Sequence, residues 1–292
     1  MQESRVQEFT VQEQANTRRA GEPHRKVRFL PREHGATAML FTPIVCAAIL
    51  ARQWRWSELA VVTAAFAALA AKDPLVVLAR QRFVWKQRHA ETAVAAQWFA
   101  GWIGILLLSG LVLVSTWPLK ATMAMGLGVG IFAALAIAVN VKNRQRSTLF
   151  QIASAAALTS SSLAACLAAT GAIAPWCWGL WLLLAMQATA GILVVHARLD
   201  ARVASRGIAP ASEQFRRAAQ VALGVLFCAA VAAALLRHGW IALALLLAVM
   251  GYAYDLRGQR DSAALQIPLK TVGQRALALS SLFSGLLILG FW

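Results

Sequence analysis

Nine apolar blocks separated by short basic stretches leave this chain few ways to fold. They run from Ala36 to Ala51, Leu59 to Leu78, Thr92 to Thr116, Ala121 to Val141 and Leu149 to Ile173. The rest run from Trp176 to Val195, Ala218 to Leu236, Trp240 to Tyr254 and Ala276 to Trp292. A helix needs about 20 apolar residues to cross hydrocarbon, and only helices and closed barrels satisfy their backbone there. The blocks are continuous in Ala and Leu, without the alternation of a membrane barrel. The expected fold is therefore all-α: a polytopic membrane helix bundle of about nine transmembrane helices. Lys72-Asp73-Pro74 interrupts the second block.

Composition agrees. The chain is 59% hydrophobic and 14% charged, whereas soluble domains are about 45–50% apolar and about 25% charged. A net charge of +16 would suggest nucleic acid in a soluble protein. No helix-turn-helix, zinc-ligand or aromatic RNA-binding pattern accompanies it, so no nucleic-acid partner is expected. The cations are sorted instead. Of 28 Lys and Arg, all but Arg52, Arg55, Lys120 and Arg237 lie before block one or around the loops after even-numbered blocks. Basic loops stay in the cytoplasm, which predicts a cytoplasmic N-terminus, a multi-pass protein of the inner membrane, and Trp292 on the far side. Trp54, Trp56, Trp117, Trp176, Trp178 and Trp240 cluster by the poor loops, as interfacial anchors do. Residues 1–28 are polar, with no apolar signal segment. They read as a disordered cytoplasmic tail, and 29–292 as the transmembrane domain. Cys46, Cys166, Cys177 and Cys228 lie in or beside apolar blocks with no C-x-x-C pair. They read as small buried hydrophobes rather than a disulfide framework.

Acidic residues are scarce, and outside the tail all but Glu58 fall on the side predicted to be cytoplasmic. Four groups there are candidates for chemistry. Arg32, Glu33 and His34 stand at the entrance to block one, either as a membrane anchor or as binding groups. Lys72 and Asp73 precede Arg80. Asp73 followed by Pro74 is the pattern of an N-cap and first residue of a new helix, and Asp73 is equally a candidate ligand beside a basic loop. His196 and Asp200, four apart, share a helix face and could hold a divalent cation; Arg198 and Arg202, also four apart, could clamp an anion. The alternative for all four is a charge-balanced helix end. Lys142 and Arg144 precede block five, and Tyr254 and Asp255 close block eight. Gln97, Gln187 and the hydroxyls from Thr159 to Ser162 read as bonds between helices.

The stretch LPREHGATAML, from Leu30 to Leu40, resembles the signature of the YwiC-like family of bacterial membrane proteins, which has no established activity to carry over. More distantly, the chain is similar to the UbiA-type intramembrane prenyltransferases, whose nine helices enclose a lipid-accessible cavity. Glu33, Gly35 and Pro43 fall at places comparable to the opening of their first helix, and Lys142 to Arg146 resembles their basic stretch before helix five. That resemblance implies a Mg²⁺-bound diphosphate held near Asp73 and near His196 with Asp200. The chain departs from it: one aspartate stands at the first site and a histidine opens the second. Three functions follow as alternatives. One is a divergent prenyltransferase acting on an isoprenoid diphosphate. Another is a non-enzymatic binder or transporter of a quinone- or isoprenoid-like amphiphile. The third is a haem or metal protein using His34 and His196.

Overall fold

The computed structural model describes residues 34–87, 91–141, 147–208 and 212–292, and among them every regular element is helical. Helix α1 spans His34–Ala51 and α2 Trp56–Arg80, which runs on through one π-helical turn, Gln81–Trp85. Then come α3 Thr92–Thr116, α4 Leu119–Val141, α5 Thr148–Thr159 and α6 Ser161–Thr170. The second half holds α7 Pro175–Ser205, α8 Glu213–Leu235, α9 Gly239–Gly258, the short α10 Ser262–Leu265 and α11 Leu269–Phe291. With α5 and α6 taken as one rod, eight are long and apolar enough to cross a membrane among the described residues. Helix α1, with 18 residues, is the shorter ninth.

Local chemistry sets the ends. Ser147 Oγ accepts from Phe150 N at the start of α5, and Ser212 Oγ from Gln214 N at the start of α8, supplying acceptors to orphan amides. Pro175 opens α7, where its missing N–H costs nothing. Gly171, at φ 79°, closes α6. The rod breaks at Ser160 because Thr159, Ser160 and Ser162 turn their hydroxyls onto carbonyls of Ala155, Ala157 and Thr159, competing with the helix ladder.

Two expectations need correction. Helix α2 does not break at Lys72-Asp73-Pro74; Pro74 is buried inside it, so Asp73 is not an N-cap. Buried alanines at 67, 70 and 71 line the preceding turns, and membrane helices tolerate proline where neighbours and local adjustment re-satisfy the freed carbonyl. The cysteines also do not all behave as isolated hydrophobes. Cys166 and Cys177 form a disulfide, Cα–Cα 6.4 Å, across the turn from α6 to α7.

Interhelix ties show that successive passes alternate in direction. At one end Arg52 Nη2 donates to Trp292 O at 3.0 Å, and Ser57 Oγ to Ala168 O at 2.8 Å. We call this the sparse end, since the chain's few outlying cations sit there. At the other, basic end, Thr92 Oγ1 meets Gln81 Oε1 at 2.5 Å and His196 Nε2 meets Gln151 Oε1 at 2.9 Å. Helices α7 and α9 run parallel: Gln187 Nε2 donates to Tyr252 Oη at 2.6 Å, and Gln259 Nε2 to Val194 O at 3.1 Å. The Gln187 tie bears out the expectation of a bond between helices.

The core lies among α1, α6, α7, α8, α9 and α11, around Cys46, Leu180, Leu184, Leu245, Phe283 and Leu287. Glycines allow its closest approaches; a Cβ at Gly191 would lie 2.8 Å from Tyr252 Oη. Helices α3 and α4 are different. In α3 only Ala95 and Ser109 are buried, and in α4 none of the described residues is. These two helices present most of their surface outward, as lipid-facing passes do.

Candidate functional site at the basic end

Helix α7 organises the basic end because it continues ten residues past the apolar block, from Val195 to Ser205. As their spacing predicts, the helix carries His196, Arg198, Asp200 and Arg202 on two faces.

One face holds His196 and Asp200, half-buried, as their spacing required. They do not turn toward each other. With its proton on Nε2, His196 donates to Gln151 Oε1 of α5, and its ring stacks on Phe215 of α8 at 5.4 Å. Asp200 Oδ2 accepts from Ser212 N at 2.6 Å, which ties the end of α7 to the start of α8. Each group holds a neighbouring helix in place.

The opposite face holds Arg198, 5% exposed. Its Nη2 donates to Ala264 O of α10, while its Nε is buried without an acceptor. Asp255 of α9, half-buried, feels the charges of Arg198 and Arg275. The buried guanidinium thus ties α7 to α10 through the Ala264 carbonyl. Arg202 is half-exposed and Tyr254 is 72% exposed. Arg198 is 5% exposed whereas Arg202 is half-exposed, so the two cations that their spacing suggested as an anion clamp stand at different depths.

Lys72, Asp73 and Arg80 lie half-buried along α2, each with partners of its own. Beyond them a recess of about 650 Å³ opens where α2 gives way to its π turn, lined by Leu78, Gln81, Arg82, Lys86, Gln87 and Thr92. Lys86 takes a left-handed conformation, φ 52°, that ends the turn. Phe83, Val84 and Trp85 stand exposed beside it. Among the described residues the lining therefore combines two cations, two amides and a hydroxyl, with no carboxylate. Sequence reasoning noted the basic run but not its interleaving with Phe83-Val84-Trp85, which was the available signal. It also set aside Glu58, which proves almost fully buried in the first turn of α2.

The resemblance to prenyltransferases asks Asp73, His196 and Asp200 to share a divalent cation. Among the described residues no three His, Cys, Asp or Glu side chains come together in a metal-binding group. Helix α2 packs on α1, α3, α4 and α6, whereas α7 packs chiefly on α5, α8 and α9. His196 and Asp200 are spent on Gln151 and Ser212. This arrangement does not fit one Mg²⁺ held by all three. Arg32, Glu33, Lys142 and Arg144 lie outside the described residues, and of His34 only its place at the start of α1 is described.

Residues 30–166 match the family model described as YwiC-like protein. That stretch carries α1 to the middle of α6, and with them the recess, Asp73 and Glu58; α7 to α11 lie beyond it. None of the curated proteins is similar enough to the chain to register a match.

Proposed function

From the YwiC-like character of residues 30–166 we infer a multi-pass protein of a bacterial cytoplasmic membrane, N-terminus inside, that binds an amphiphile with an anionic head at its basic end. The head group sits in the recess against Arg82 and Lys86, with the amides of Gln81 and Gln87 as neutral donors. The tail lies along Leu78 and the outer surface of the helices. The observation that carries this reading is a recess whose described lining holds two cations and no carboxylate, a composition suited to the phosphate heads found at a membrane surface.

Phosphate recognition by Arg and Lys needs no metal. The alternative, a divergent prenyltransferase, draws support from the number of passes and the order of Asp73, His196 and Asp200 along the chain. It requires those residues to regroup around Mg²⁺ when a diphosphate binds.

Binding of a farnesyl-length diphosphate, the matching monophosphate and a short-chain quinone to the full chain in nanodiscs separates the readings. Replacing both Arg82 and Lys86 by Ala removes two charge-assisted contacts, each worth about 1.5–3 kcal/mol, so phosphate binding falls at least about tenfold. A chelator leaves it unchanged. Unaltered binding in the double variant refutes the proposal. Chelator-sensitive binding, lost in Asp73→Asn and Asp200→Asn and accompanied by diphosphate release, establishes the transferase instead.

A further inference from the structure

The first turn of α2, at the sparse end, holds an acid that no partner accounts for. Glu58 is 1% exposed, and neither of its carboxyl oxygens has a hydrogen-bond partner. An ionised carboxylate left unpaired in a low-dielectric interior is among the costliest groups a protein can bury. Such a group within a membrane span marks function by default.

The surroundings offer no counter-charge. Helix α2 packs against α1, α3, α4 and α6, and the charged or titratable groups that these and the adjoining turns bring toward this end are Arg52, Arg55, Lys120, Cys166 and the buried neutral thiol of Cys46. Arg52 is spent on Trp292, bonded to its carbonyl and stacked 3.9 Å from its ring centroid. Arg55 and Lys120 are exposed, and Arg55 reaches toward Gly171. Cys166 is in the disulfide. Ser57, the adjacent hydroxyl, is spent on Ala168 O.

A second group nearby is also unspent. Trp117 is 8% exposed and its Nε1–H has no acceptor. Helices α2 and α3 are antiparallel, with Thr63 Oγ1 and Ser109 Oγ 2.9 Å apart. At 1.5 Å per residue, Trp117 and Glu58 then differ in depth by about 5 Å. Unused acceptors on α2 and an unused donor at the end of α3 therefore both lie near the sparse end. The exposed Arg55 and Trp56 stand three and two residues before Glu58, so the carboxyl lies within a turn of the aqueous surface.

We propose that Glu58 is a membrane-embedded proton-binding site, its carboxyl held neutral in the packed bundle and exchanging its proton with the aqueous phase at the sparse end. Proton binding needs one oxygen and no coordination shell, which matches an isolated acid better than any metal cation would. The chain gains by this a protonation-sensitive element on the helix that carries the basic recess at its other end, and the assignment does not depend on that recess.

Infrared spectra of the full chain in proteoliposomes test the assignment. At about pH 8 an ordinary glutamate, titrating near 4.3, is ionised. Wild type nonetheless shows a protonated-carboxyl stretching band, which is absent from Glu58→Gln and shifted in Glu58→Asp. Transfer to D₂O moves the band within the time that surface amides exchange. If Glu58→Gln does not fold, Glu58→Asp alone decides through the shift. A wild-type spectrum with no such band, or a band untouched by both variants, overturns the assignment. A band that resists D₂O while surface amides exchange overturns its exchange with the aqueous phase.

Discussion

Replacing Gly191 by Ala probes a close approach between α7 and α9. The new methyl would stand 2.8 Å from Tyr252 Oη and 3.3 Å from its Cζ. Tyr252 has nowhere to retreat, being 4% exposed and bonded to Gln187 at 2.6 Å. Overpacking of this kind costs about 1–3 kcal/mol. Losing the interhelix hydrogen bond adds about 0.6 kcal/mol at the average seen in membrane bundles. Against this, Ala is favoured over Gly in a helix interior by about 0.8–1.0 kcal/mol. The net expectation is a loss of roughly 1–2 kcal/mol. In a Tyr252→Phe background the hydroxyl is gone, so the same Gly191→Ala change should be close to neutral, a coupling of about 1–2 kcal/mol in the range known for residues in contact. Gly126→Ala, in α4 with nothing within 4 Å of its added Cβ, should stabilise by up to about 1 kcal/mol. Reversible unfolding of the purified chain in mixed micelles measures all four. Equal costs for Gly191→Ala with and without the Tyr252 hydroxyl would refute the close-contact argument, whatever the sign.

Two further predictions follow from contacts already described. Asp200→Asn keeps an oxygen that can accept from Ser212 N and should shift stability by less than about 0.5 kcal/mol, whereas Asp200→Ala should cost about 1 kcal/mol, as lost caps do; the same unfolding assay reads both. Alkylation of the denatured chain should tag two thiols, Cys46 and Cys228, before reduction and all four cysteines after it, since Cys166 and Cys177 are paired; four tags before reduction would show that the bond does not form. Because disulfides persist on the oxidising side of a membrane, the first result would also support the sparse end facing away from the cytoplasm.

The passes themselves were legible because hydropathy and cation placement are one-dimensional signals, and the bundle returned each apolar block as a helix. What needed a second chain segment was not legible. Pro74 reads as a breaker until the small residues beside it are seen to let the helix continue. Cys166 and Cys177 pair only because the turn from Gly171 to Ala174 brings α6 and α7 back together. The charged run after Val195 reads as helical from its spacing, but that spacing does not show that His196, Arg198 and Asp200 would meet partners on α5, on α10 and at the start of α8. At the candidate site the spacing of His196 and Asp200 gave their shared face correctly, but not that both would be occupied by Gln151 and Ser212. Glu58 was visible as the one acid outside the tail on the wrong side of the charge pattern, and grouping acids by side hid it.

The two ties between α7 and α9 join residues separated by the same interval, Gln187 with Tyr252 and Val194 with Gln259. A uniform interval makes the pair behave like meshed gear teeth: neither helix can slide along the other without disengaging both ties in the same instant. With Arg198 pinning α10 to the same shaft, this half of the molecule is a stator. Helices α3 and α4, with few or no buried residues, take no part in this meshing, so the two regions of the bundle are held to very different tolerances.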